Sequence, residues 1–181
     1  MSNYLDFLEL CGKLKTTKRT GWVRSGVDLP ESISEHMHRV ALFGFLIPKS
    51  QGIDNDRLIK MGLVHDLAEA VAGDITPHCG VSREEKEKLE REGLARMCSF
   101  LPKETGEEIS RLWEEYEAGE SEEAKICHEI DKLEMVLQAH EYEKNGSRKL
   151  QDFFASTVGK IKNPFLKEID AEIRKRRNSF S

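Results

Sequence analysis

No excess of positive charge, no paired cysteines and no long apolar run mark this sequence, and each absence removes a class of function. Lys and Arg total 28 against 33 Asp and Glu, giving a formal net charge of −5 and a pI near 5.8. That balance lacks the basic bias a nucleic-acid-binding surface needs, so a polymer substrate is disfavoured while a small anionic one is not. Cys11, Cys79, Cys98 and Cys127 are scattered and form no CxxC pair, and the chain opens on no secretory pattern. Reduced thiols in the cytoplasm, with the nucleus as the alternative, are expected. The longest apolar run, Val40–Ile47, falls far short of the roughly 18 to 20 residues that cross a bilayer, so no membrane segment is expected. Period-two alternation, internal repeats and low-complexity stretches are also missing.

What is present is helical periodicity. Ile33, Met37, Val40, Phe43 and Ile47 form one stripe, Leu58, Met61, Val64 and Leu67 the next, and Ile126, Ile130, Leu133 and Leu137 a third. Start signals precede them: Ser32 or Ser34, Asp54, Ser82 followed by Glu84 and Glu85, Pro102, and Ser121 followed by Glu122 and Glu123. The spacing predicts an all-α helical bundle of about eight helices, near 2–13, 33–49, 54–72, 82–99, 102–117, 121–144, 147–160 and 164–177. At 181 residues this fits one domain, with a core over about 5–165 and a C-terminal helix and basic tail at 166–181. Lys15–Glu31 reads as a long ordered loop and a candidate substrate-binding lip. The charged Ser82–Glu92 segment reads as a solvated helix face, and the basic tail as a frayed, solvated helix end.

Chemistry concentrates in histidines and aspartates set on or beside apolar faces, where burial is costly unless something pairs with them. His36 lies between Ile33 and Val40 on one stripe. His65 and Asp66 are adjacent in VHDLAEAV, and neighbouring helical residues diverge by about 100°, so both reach one point only near a helix flank. Asp131 follows Ile130 at the shoulder of another apolar face. A shared metal ion explains this placement, with two imidazoles and two carboxylates converging from three helices. Mixed nitrogen and oxygen ligation with open positions suits Mn, Co, Ni, Fe or Mg better than a closed thiolate zinc site. Glu69 falls one turn beyond His65 and should face the same cavity, and Asp74 follows Gly73 where the helix stops.

The order H…HD…D resembles the HD superfamily along most of the chain. SEHMHRVAL, HDLAEAVAGDITP and HEIDKLEMVLQAHEYE together resemble its 5′-deoxynucleotidase branch from about Leu5 to about Phe165. The resemblance implies hydrolysis of deoxyribonucleoside 5′-monophosphates to deoxyribonucleosides and phosphate by a homodimer. It implies His36, His65, Asp66 and Asp131 as metal ligands and Glu69 and Asp74 as the acidic residues essential for turnover. A second ion near Glu69, Asp74 and the Ile75 backbone is also implied. The divalent metal expected is Mn, Co or Mg, with Ni, Fe or Zn after them. KRTGWVR resembles the family's phosphate-contacting segment, which makes Arg19, Trp22 and Arg24 candidate substrate contacts. Bacterial members place the Arg directly before the Trp, whereas Gly21 stands there in this chain, so either Arg19 or Arg24 could supply the phosphate contact. Glu122 and Lys132 are candidates to line the cavity or to support the ligands, with a structural role the more expected. Two other readings stand beside this one: an HD phosphohydrolase of a nucleoside triphosphate, cyclic nucleotide or alarmone, and a non-catalytic HD binding module.

Overall fold

The computed structural model describes residues 2–76, 79–146 and 149–179. Ten α-helical segments follow in order: α1 (Ser2–Lys13), α2 (Thr20–Arg24), α3 (Ile33–Leu46), α4 (Asn55–Val64), α5 (Glu69–Ala72), α6 (Arg83–Cys98), α7 (Lys103–Ala118), α8 (Glu122–Lys144), α9 (Gln151–Ser156) and α10 (Pro164–Asn178). A 3-10 turn occupies Lys49–Gln51, and the extended pairing among the described residues is one isolated antiparallel bridge between Lys18 and Ser32. The all-α expectation is met, and no described helix is long and apolar enough to cross a membrane.

Helix starts follow the side-chain chemistry. Ser32 and Glu35 form a reciprocal capping box at α3, while Asp54, Ser82 and Ser121 accept the third-residue N–H groups of α4, α6 and α8. The long α8 runs through the centre, with Ala124, Cys127, Ile130, Leu133, Val136 and Ala139 all fully buried. Against it pack α3 and α4, whose own contact is unusually close. A Cβ at Gly62 would meet the Ala41 backbone at 2.9 Å, and one at Gly44 would meet the Ile59 side chain at 2.7 Å. These two glycines let the α3 and α4 backbones approach directly, which brings the helix bearing His36 against the helix that ends at His65.

Three expectations about the extent of elements are corrected. The helix predicted over 54–72 breaks: α4 stops at Val64, and from there Leu67, Glu69, Ala70 and Val71 donate to carbonyls three residues back, closing the chain into tighter turns that lead into and through the start of α5. The lip is not wholly irregular, because α2 supplies one helical turn within it. The predicted 147–160 helix is only Gln151–Ser156, with 147 and 148 outside the described residues.

The basic tail is tied down rather than solvated at two of its arginines. Arg177 donates to both Glu143 oxygens at 2.6 and 2.9 Å and lies 3.8 Å over the Phe154 ring, and Arg174 pairs with Asp170 and reaches Thr157. Burial raises the Glu143 carboxyl, but the Arg177 and Leu150 hydrogen bonds outweigh it and hold the group below its ordinary value. Because the folded value is the lower one, this stabilisation is present above the unfolded carboxyl value of about 4.3 and fades as pH falls through the folded one. Arg177→Ala should destabilise the fold by about 3 kcal/mol at neutral pH, and by less in acid, as chemical denaturation at two pH values would read.

Candidate metal centre

His36 is fully buried on the inward face of α3, His65 caps the C-terminus of α4, and Asp131 stands on α8. The tightened turn after Val64 sets Asp66 beside His65. His36 Nε2 is 3.2 Å from Asp131 Oδ1 and 3.6 Å from Asp66 Oδ2, and His65 Nε2 is 3.3 Å from both Asp66 Oδ2 and His36 Nε2. Ligand atoms about 2.1 Å from a common ion sit about 3.0–3.4 Å apart, a spacing the two imidazoles and Asp131 approach, with Asp66 beside them at 3.3 Å from His65 and 3.6 Å from His36. His36, His65 and Asp131 form a group able to hold a metal ion among the described residues.

The outer nitrogens fit as well. His65 Nδ1 donates to the Gly62 carbonyl at 2.9 Å, and His36 Nδ1 meets Glu134 Oε2 at 2.5 Å. With each Nδ1 engaged, both Nε2 atoms are turned to the centre, the arrangement that fixes histidines around metals. Glu134 is itself held by Arg39. Glu134 is the site residue the sequence reading missed: it lies one turn after Asp131, but a glutamate between Leu133 and Met135 gives no sign of being fully buried. Tyr116, whose hydroxyl reaches Asp131 Oδ2 at 3.5 Å, had no sequence signal at all.

Charge in the centre is tightly balanced. Burial opposes ionisation of Asp66, yet His65, Arg19 and His36 hold it well below the carboxylate range; Asp131 is held low against the same opposition by His36 and Arg19. Burial and Arg19 work against a proton on His36, but Asp131 and Glu134 push it up to about 10. Glu69 is 6 % exposed, one of its oxygens has no hydrogen-bond partner, and burial beside Asp66 and Asp74 raises it well above its ordinary value.

Arg19 reaches into this cluster, with Nη1 3.2 Å from Asp66 Oδ2 and Nη2 4.0 Å from Asp131 Oδ1. Asp74 fastens the lip: its Oδ2 accepts from Thr20 N at 2.6 Å, and its carbonyl accepts from the Thr20 hydroxyl. A cavity of about 650 Å³ opens beside the centre, and Arg19, Arg24, Asp74, Met135 and Phe153 are among its lining residues. Trp22 also lines it but is only 1 % exposed, stacks on Phe153 at 4.2 Å and gives its indole N–H to Glu31 at 2.8 Å. Arg24 is exposed. Glu122 and Lys132 lie apart from the ligands, Glu122 pairing with Lys125 and Lys132 with the His128 carbonyl.

A model of the HD domain family matches residues 11–174. The chain belongs to the HD domain family. Among its curated HD relatives, the 5′-deoxynucleotidase HDDC2 of Dictyostelium discoideum is 46% identical, covering 96% of this chain and 97% of its own. The human protein of the same name is 41% identical over 97% and 86% of the two chains. HD-like architecture recurs in a conserved hypothetical protein of Pyrococcus furiosus (TM-score 0.79, 32% identity, 94% and 99% coverage). A predicted metal-dependent phosphohydrolase of Magnetospirillum magnetotacticum gives TM-score 0.72, 26% identity and 98% and 93% coverage.

Proposed function

We propose that this chain is a metal-dependent 5′-deoxynucleotidase that releases phosphate from deoxyribonucleoside 5′-monophosphates. The convergence of His36, His65, Asp66 and Asp131 on one point carries the reading, and the relatives named 5′-deoxynucleotidase at 37–46% identity support the substrate class. These four side chains would hold one divalent ion, with Mn, Co or Mg expected first and Ni, Fe or Zn after them, since the nitrogen and oxygen donor set admits several metals. When bound, the ion polarises a phosphoryl oxygen and makes water more acidic.

The chain's own residues supply the remainder. Arg19, the cation nearest the ligands, receives the phosphate and neutralises charge developing on its equatorial oxygens. Arg24 stands on the cavity rim, and Phe153, backed by the buried Trp22 on which it stacks, supplies an apolar wall for the sugar. Glu69 orients the attacking water and takes its proton as the water oxygen bonds to phosphorus; the P–O5′ bond breaks in line, and a proton from solvent reaches the departing 5′ oxygen so that the nucleoside leaves as an alcohol. Asp74 holds the Thr20 turn and, with Glu69 and the Ile75 backbone, would form any second-cation site. Glu134 keeps His36 oriented, so Glu134→Gln should weaken Mn binding about 10- to 100-fold by calorimetric titration without unfolding the protein.

The deciding experiment measures phosphate release from deoxyribonucleoside and ribonucleoside 5′-monophosphates, with 3′-phosphate controls, after chelation and re-addition of Mn, Co or Mg. Metal-dependent release from the 5′-deoxy compounds is expected; silence on every monophosphate would overturn the reading.

A homodimer in the cytoplasm belongs to the same reading. Leu42, Phe45 and Leu46 of α3 and Leu63 of α4 are exposed, Phe45 to 67 %. Such an apolar face suits a second copy of the chain. Sedimentation should give twice the 20.7 kDa chain mass, and Phe45→Glu should return the monomer.

A further inference from the structure

Glu31 ties three parts of the molecule together immediately before α3. Its carbonyl accepts from the Arg19 N–H at 3.1 Å, its own N–H donates to the Tyr142 hydroxyl of α8 at 2.7 Å, and its Oε1 accepts from the Trp22 indole at 2.8 Å. It is buried, and one of its oxygens falls within the same 4.8 Å group as His36 and Glu134. Placing one carboxyl beside another in the interior is costly, and burial with the Glu134 charge pushes Glu31 up to about 7. An apolar residue would avoid that cost but would leave the Trp22 indole without an acceptor.

The indole needs that acceptor because α2 cannot stand alone. It is five residues long, its first turn has no side-chain cap of its own at Arg19, and helices this short are not self-sustaining. What holds it is Trp22, stacked on Phe153 and edge-on to Tyr142, together with Asp74 at Thr20. Arg19 is the residue directly before α2, so the direction in which its side chain leaves the backbone is set by how this turn is anchored.

We propose that Glu31 is a positioning residue: by pinning Trp22 through its carboxyl and Arg19 through its carbonyl, it aims the Arg19 guanidinium at the metal centre. This rests on the reading that Arg19 meets the phosphate of a 5′-nucleotide. Glu31 itself touches neither substrate nor metal and acts only through Arg19.

The test is a double-mutant cycle on the Mn-loaded full chain with deoxyadenosine 5′-monophosphate, joined to metal titration and to the Trp22 indole N–H resonance, one of two indoles in the chain. Glu31→Ala should lower kcat/KM about tenfold, the scale of one lost buried hydrogen bond. It should also shift the Trp22 resonance and leave Mn affinity unchanged. Glu31→Gln keeps an acceptor for the indole and should restore wild-type behaviour. In an Arg19→Met background, Glu31→Ala should cost nothing further.

A full second loss in that background, or Mn affinity falling in step with kcat/KM, overturns the proposal. If Glu31→Ala does not fold, Tyr142→Phe releases the same segment from α8 and carries the cycle instead. A wild-type chain silent on every 5′-monophosphate counts against the nucleotidase reading alone, because the indole resonance still reports whether Glu31 fastens the Trp22 turn; an unshifted resonance in Glu31→Ala sinks the positioning role whatever the substrate.

Discussion

Asp66→Ala is expected to abolish metal binding and turnover together. The carboxylate lies 3.3 Å from His65 Nε2 and 3.6 Å from His36 Nε2, and it also anchors Arg19. Removing it takes a ligand and a balancing charge out of a partly buried cluster at once. The loss of one member of such a pair costs about 3–5 kcal/mol, which, if it falls on metal affinity, is about 10²- to 4 × 10³-fold. Titration of the chelated protein with Mn, beside a phosphate-release assay, would measure both quantities. Turnover that survived in the variant would show that the doublet is not the reacting centre.

Glu69→Gln should separate the two properties. Glu69 is outside the four proposed ligands, yet it is buried beside Asp66 and Asp74 with one oxygen unpartnered. A glutamine of the same shape preserves packing and removes the capacity to take a proton from water. The first metal should bind as in the wild type, while kcat drops by about 10²- to 10⁴-fold, the usual contribution of a positioned acid or base. An unchanged kcat would transfer the proton-handling role to Asp74.

The proposed ligands were legible because they stand where an unpartnered polar side chain is costly. His36, His65 and Asp131 sit on or against apolar stripes, and only a binding partner makes that placement economical. Helix existence and most start points were legible for a similar reason, since Ser32, Asp54, Ser82 and Ser121 are short polar side chains at the edges of periodic segments. What escaped was geometry that leaves no periodic trace. The change to three-residue hydrogen bonding after Val64 is invisible in VHDLAEAV, because a tight turn and an α-helix share apolar spacing over so few residues. A single turn such as α2 has too few residues to show a stripe.

Glu134 and Arg177 were illegible for a different reason: a charged side chain reads as solvent-facing until its partner is known, and both partners lie far off in sequence. The choice between Arg19 and Arg24 likewise depended on where the lip folds back. The bridge between Lys18 and Ser32, the Glu31 contact and the Asp74 contact together turn Arg19 inward and leave Arg24 exposed.

The placement of Arg19 between Asp66 and Asp131 bears on the order in which the protein assembles. Small zinc domains fold only as their ion arrives, because nothing else offsets the repulsion among their ligands. Here a fixed cation from the chain already offsets it, and the surrounding helices bury a core that does not include the ligands. With that charge offset by Arg19, the fold is expected not to depend on the ion: chelation should leave the far-ultraviolet circular dichroism unchanged while removing turnover, so metal supply would set how many molecules are active rather than how many survive.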